Sequence, residues 1–282
     1  MEYLFLFVLG LIWLIFATIH DFKTKEIPNW LNFSLIAFAL SYRAFYSAFN
    51  NDWTFFVYGL IALGIFVGIS FIFYYSRAFA GGDAKLLMGI GVILPLGNFG
   101  SYFWAVIFLF LLFGIGAVYS FLYTLILVFR KKGFVYEFKK FFKGKEIFIY
   151  GLSGLGFLAG LILFILNEIY LSISFFIFGF IPWIYIYSQV IDRAYMVKLV
   201  APGKLTEGDW LFKDVKVGKQ IIKKKVDGLS KEETVVLKKF GKKVWIREGI
   251  PFSISFLLAF MVFVFLFFLF PDFSFLRFFS LS

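Results

Sequence analysis

Phe79-Ala80-Gly81-Gly82-Asp83-Ala84-Lys85 places a glycine pair and a carboxylate at the mouth of an apolar segment that begins at Leu86. An ionisable side chain at membrane depth is costly, and by default it marks a pathway or a reaction centre. A second carboxylate, Asp21, holds the matching place at the end of the first apolar run, just before the turn Ile27-Pro28-Asn29. Two acids held near one another cannot both ionise cheaply, so such a pair shares a proton. One member then acts as base toward a water while the other donates a hydrogen bond to a carbonyl, which is the chemistry of amide hydrolysis by paired acids. The glycines preceding Asp83 lack Cβ, so they are expected to admit positive φ and to let an extended chain approach closely.

Working outward, the composition decides the class. Of 282 residues, 62% are hydrophobic and 46 are phenylalanine, and the mean hydropathy is +0.91. A soluble domain does not carry such a surface, so the chain reads as a polytopic α-helical membrane protein. With a span needing about 20 apolar residues, membrane helices are expected at 3–19, 31–49, 54–75, 84–97, 102–128, 147–166, 170–191 and 250–270. The count is about eight transmembrane or partial elements by that ruler, and the fourth is short enough to be only partial. The first run lacks a basic n-region and a small-residue cleavage pattern, so it is expected to be a retained span.

The lysines and arginines test this topology. All of them except Arg43 and Arg277 fall in alternate loops, at 20–30, 76–85, 129–146 and 192–249. By the positive-inside tendency that side is cytoplasmic. Asp21 and Asp83 then share the cytoplasmic face, because two spans separate them. Arg43 is expected to snorkel out of the second span. Net charge is +11; in loops beside spans it points to anionic lipid headgroups rather than to nucleic acid. There is no cysteine, which excludes disulfides, Cys-based zinc sites and thiol nucleophiles; neither a metal nor a cofactor is expected.

The region 192–249 is the one soluble module, expected to be a small basic α/β insert before the last helix. Asp209 to Val217 and Gln220 to Val226 read as strands joined through Gly218-Lys219, with a turn at Asp227-Gly228. Ser230-Lys231-Glu232-Glu233 has capping-box spacing, so a helix is expected to about Lys239, stopped by Gly241. Val244-Trp245-Ile246 reads as a last strand. The chain thus divides into a membrane-embedded catalytic part at 1–191, the insert at 192–249, and a last helix with its tail at 250–282.

Asp21 through Asn29 resembles the Asp-x-x-x-x-x-Ile-Pro-Asn segment of type IV prepilin peptidases, and Gly82-Asp83-Ala84-Lys85 resembles part of their Gly-x-Gly-Asp-x-Lys motif. The resemblance extends to the archaeal branch, the preflagellin or class III signal peptidases, whose C-terminal inserts end in a similar Glu248-Gly249-Ile250-Pro251-Phe252 turn. It implies that Asp21 and Asp83 form the catalytic dyad. It also implies a substrate, the precursors of pilin-like proteins or archaellins, cut behind a short basic leader. Here Ala80 stands where the motif has its first glycine. Bacterial relatives add a paired CxxC domain with methyltransferase activity; without cysteine, peptidase activity alone is implied. Presenilin-type peptidases pair their motif with Tyr-Asp and Pro-Ala-Leu sequences, and neither occurs here.

Each candidate has a plainer reading. Asp21 could be a helix-end carboxylate beside Lys23 and Lys25, and Asp83 an N-cap for a helix starting at Ala84. Gly81, Gly82 and Lys85 are candidate substrate contacts, although a boundary lysine commonly serves topology. Glu26 and Glu248 fit either a basic leader or solvent. His20 adjoins Asp21 in sequence, but neighbouring helical positions point about 100° apart, so it is read as an interfacial residue. The rival function is a proton-coupled transporter relaying protons through Asp21 and Asp83; carboxylates at one edge count against it.

Overall fold

The computed structural model describes residues 2–76, 78–97, 102–131, 133–218, 220–225 and 228–270. It divides into two compact units, one formed by Met1–Leu122 with Ile250–Ser282 and the other by Tyr123–Gly249.

The first unit contains α1 (Glu2–Thr24), α2 (Asn29–Phe49), α3 (Thr54–Tyr75), α4 (Gly81–Ile93), the beginning of α5 (Tyr102–Arg130) and α10 (Ser253–Leu269). In hydrocarbon every backbone polar group must be satisfied internally, which is why these apolar runs are helices. Their outward faces carry residues such as Phe5, Ile12, Phe16, Phe38 and Phe45, left exposed for lipid. Their inward faces build a core of Leu6, Phe7, Leu14, Leu35, Phe66, Leu86, Phe108, Phe256 and Phe260. Helix α4 is the exception, being buried on nearly every side. Helices α2 and α3 approach it closely because it offers no Cβ at two positions: one built on Gly89 would lie 2.8 Å from the Leu35 side chain, and one on Gly91 only 2.4 Å from Phe66. Small residues at such contacts drive helix association where no hydrophobic force exists between helices.

The second unit holds the end of α5 and the helices α6 (Phe134–Phe142), α7 (Glu146–Ile165) and α8 (Ile169–Val190), followed by a π-helical turn at Ile191–Tyr195. Helices α7 and α8 form a tight hairpin through Asn167, whose φ is +63°. They pack backbone to backbone, since a Cβ on Gly156 would lie 2.8 Å from the Gly179 backbone. The small sheet of β1 (Val197–Val200), β2 (Trp210–Leu211) and β5 (Val244–Arg247) follows, with the hairpin β3 (Val215–Val217) and β4 (Gln220–Ile222) and helix α9 (Lys231–Phe240). The sheet order is β1-β5-β2, and both β5 pairings are antiparallel. Leu205, Leu211, Ile222, Leu237 and Val244 form its core.

Helices α1, α3, α5, α7 and α8 are long and apolar enough to cross a membrane. Helix α10 is apolar but shorter, α2 is long but interrupted by Asn32, Ser34, Ser41 and Arg43, and α4 has 13 residues. Together these are the expected polytopic membrane architecture with its small α/β insert.

Several local expectations need correction. Helix α1 does not stop at residue 19; it continues to Thr24 and ends on Lys25 at φ +62°, so Asp21 lies within the helix. Helix α4 begins at Gly81 rather than at Ala84, and its N-cap is Ala80, not Asp83. The basic stretch 129–146 is not merely a loop, because its phenylalanines at 134, 138, 141 and 142 recur at helical spacing and pack one face of α6. Arg43 does not snorkel: it is fully buried. The insert has an additional strand, β1, before those the sequence predicts, and the strand expected at 209–217 is broken between Leu211 and Val215. The strand expected at 220–226 ends at Ile222. Val226, Asp227 and Arg277 lie outside the described residues. The capping box is present as expected, with Ser230 and Glu233 reciprocally bonded, and Gly241 ends the helix at φ +73°.

Candidate active site

Asp21 sits in the last turns of α1, where the Lys25 N–H closes the helix on the Asp21 carbonyl at 2.9 Å. Only 7% of the residue is exposed. Its carboxylate Oδ2 accepts two hydrogen bonds from Ser253, from the hydroxyl at 2.7 Å and from the backbone N–H at 3.2 Å. Ser253 opens α10, so its N–H is one of the donors a helix start leaves unpaired. Asp21 caps that helix from another segment, in the place where the helix dipole favours an anion.

Asp83 is the third residue of α4 and is 8% exposed. As the third residue of the helix it stands in the first turn, where the dipole favours an anion. Ala80 itself has φ −70° and ψ 163°, ordinary extended backbone. An alanine is therefore no burden at the motif's first glycine. Gly81 and Gly82 are helical, and the positive φ expected of them is not found.

The two carboxylates, brought from the end of α1 and the start of α4, lie within electrostatic reach of one another. Two further bonds tie the motifs together. The Lys85 ammonium donates to Asn29 Oδ1 at 2.7 Å, and the Asn32 amide donates to the Gly82 carbonyl at 3.4 Å. Gly82 packs on the turn between α1 and α2: a Cβ there would stand 3.2 Å from Ile27 Cβ. Gly81 has more room, with Tyr74 at 3.7 Å as the nearest neighbour of such a Cβ. Phe79 seals the approach loop by packing its ring 5.1 Å from Phe73 and 5.5 Å from Phe252.

Of the sequence candidates, the structure brings Asp21, Asp83, Gly81, Gly82 and Lys85 together. His20 instead meets the Trp30 ring edge-on at 6.4 Å. Glu248 forms an ion pair with Lys198 in the other unit. Sequence reading missed Ser253 and Asn32. Each is a fully buried polar residue in an apolar helix, and that contrast was the only available signal, since serine and asparagine are also ordinary near helix starts.

The fold and site define a polytopic helical membrane protein with paired, buried aspartates. Residues 8–135, which include both of them, match the type IV leader peptidase family. A preflagellin peptidase of Methanocaldococcus jannaschii is 30% identical over 92 residues, covering 33% of this chain and 39% of that protein. A second preflagellin peptidase, from Methanococcus maripaludis, is 25% identical over 89 residues, covering 32% of this chain and 38% of its own. The chain thus spans under two fifths of the curated relatives it matches. No solved structure matches.

Proposed function

We propose that this protein is a membrane aspartic endopeptidase, and that it removes short basic leaders from pilin-like or archaellin precursors at the cytoplasmic face of the cell membrane. The observation that carries this reading is the burial of Asp21 and Asp83 within electrostatic reach of one another inside the segment that resembles leader peptidases.

In the reaction one carboxylate takes a proton from water while the water oxygen bonds to the scissile carbonyl carbon. The other carboxyl gives its proton to the carbonyl oxygen, forming a gem-diol. Proton return to the leaving nitrogen breaks the C–N bond and yields an acid and an amine. Helical peptide bonds are shielded, so the cut must fall in unwound chain between the leader and the hydrophobic helix. Gly81, where a Cβ would have only the Tyr74 ring in van der Waals contact at 3.7 Å, is the place for that chain to approach. Lys85 and Gly82 contribute chiefly by fitting Asn29 and Ile27. The basic insert faces anionic headgroups.

The test is processing of a tagged archaellin or pilin precursor by membranes holding the native protein, Asp21→Asn or Asp83→Asn. Asparagine still accepts a hydrogen bond, so the Ser253 bonds to residue 21 survive the substitution while the acid chemistry does not. Loss of cleavage in both variants, with normal insertion, is expected. Full processing by either would sink the mechanism and favour a proton relay.

A further inference from the structure

We propose that Arg43 is a positioning residue that sets the depth of Asp83 by clamping the opposite end of α4. Helix α4 has 13 residues, roughly 20 Å at about 1.5 Å per residue, against a hydrocarbon core of about 30 Å. It therefore begins at the motif and ends inside the bilayer, where its last carbonyls have no water to bind. Arg43, on the neighbouring α2, supplies what is missing. Its Nε donates to the Val92 carbonyl at 2.8 Å and its Nη2 to the Leu94 carbonyl at 2.9 Å. Nη1 donates to the Phe55 carbonyl on α3 at 2.9 Å. One planar guanidinium, with five donors in fixed geometry, joins three helices at one level.

The surroundings are built for it. The Phe55 ring lies 4.4 Å from the guanidinium carbon and the Tyr3 ring 5.5 Å, both within cation–π range. A Cβ on Gly59 would lie 2.4 Å from Arg43 Cδ, so that glycine makes room for the stem. Arg43 is fully buried and forms no ion pair among the described residues; the Val92 and Leu94 carbonyls, at the negative end of the α4 dipole, face its charge. A cation fixed there by the two rings and bonded to the α4 carbonyls gives α4 a defined axial position. Because a short helix moves as a rod, that position reaches Asp83 at its other end. With the clamp removed, the Val92 carbonyl loses the Arg43 donor and the Leu94 carbonyl keeps only the Leu96 N–H at 2.9 Å, which favours sliding toward other donors, and the motif slides with them.

The chain has no cysteine, so a cysteine pair reads this position directly. Ile27 Cβ lies 3.2 Å from the Cβ position of Gly82, close to the spacing a disulfide requires. Full-length Ile27→Cys/Gly82→Cys protein in lipid should oxidise readily. Adding Arg43→Gln should slow bond formation at least about fivefold, given how narrow disulfide geometry is, with insertion and helicity retained. In the cysteine-free enzyme, Arg43→Gln should lower kcat about 100-fold while KM stays within about threefold, as for a misplaced catalytic group. Arg43→Lys, which offers a charge without the planar fork, should fall between the two. An unchanged cross-linking rate in Arg43→Gln overturns the proposal; if that variant fails to insert, an unchanged rate in Arg43→Lys does so. The activity arm rests on the peptidase reading and the cross-linking arm does not, so a failure of that reading is recognised by active Asp→Asn variants beside a slowed cross-link.

Discussion

Ser253→Ala removes the shorter of the two bonds that orient Asp21, the 2.7 Å hydroxyl contact, and leaves the 3.2 Å backbone contact in place. A hydrogen bond to a charged partner contributes about 1.5–3 kcal/mol. Full loss of that contribution in the transition state would slow the reaction about 10- to 150-fold. Because the N–H remains, the lower part of the range applies, and kcat should fall about 10- to 30-fold. KM should change by less than about twofold, since Ser253 holds the acid and not the substrate. The assay is time-resolved cleavage of a purified precursor in detergent, with melting of the enzyme followed in parallel. Serine and alanine differ by one oxygen, so any loss of packing is small. A Ser253→Ala enzyme with kcat within about twofold of native would show that Asp21 needs no orientation by this residue, and would refute the reasoning.

The glycines of α4 should separate by what stands opposite them. Gly81→Ala, with its nearest neighbour at 3.7 Å, should leave melting near native but raise KM, because its methyl stands where the substrate chain approaches, whereas Gly82→Ala presses on Ile27 at 3.2 Å and should reduce kcat without unfolding the protein. Gly91→Ala meets Phe66 at 2.4 Å and should destabilise by about 1–3 kcal/mol, as overpacking does; equal behaviour of the three in melting and cleavage assays would contradict these contacts. Asn29→Ala and Lys85→Met should each cost less than about tenfold in cleavage, and the double variant should be no worse than either alone, because both break one bond. Additive losses would mean Lys85 has another partner. In the insert, burial pushes the Asp209 carboxyl above the usual carboxylate range, with hydrogen bonds from Thr206 partly opposing it. A raised folded-state value makes the acid a stabilising group only at low pH, and its contribution is lost as pH rises through that value. Asp209→Asn, which still accepts from the Thr206 N–H, should therefore preserve or raise stability at neutral pH, measured by limited proteolysis of the full chain; faster cleavage in the insert would count against this sign.

Much of this protein was readable one segment at a time. The long apolar runs around α1, α3, α5, α7 and α8 declare themselves because lipid leaves a helix as the only way to satisfy their backbones. The Ser230–Glu233 box and Gly241 gave both ends of α9, since capping is a local interaction. Local reading failed where a residue's partner lies far along the chain. Arg43, judged by its distance from the end of its own span, should have reached outward; three carbonyls, all beyond its own helix, hold it inside. Gly81 and Gly82 look alike in the motif, yet Ile27 approaches only one of them.

The sequence by itself determined the class, a polytopic helical membrane protein with a basic insert, and singled out Asp21 and Asp83 as misplaced charges needing a reason. Hydropathy and charge cost act on each residue through its own solvent, and so they can be read without coordinates. Only the tertiary structure decided that both acids are buried within electrostatic reach of one another, that Ser253, 232 positions from Asp21, orients one of them, and that the far end of the other's helix is bonded to Arg43. Hydrogen bonds and close packing depend on which surfaces meet, and that is a property of the assembled bundle.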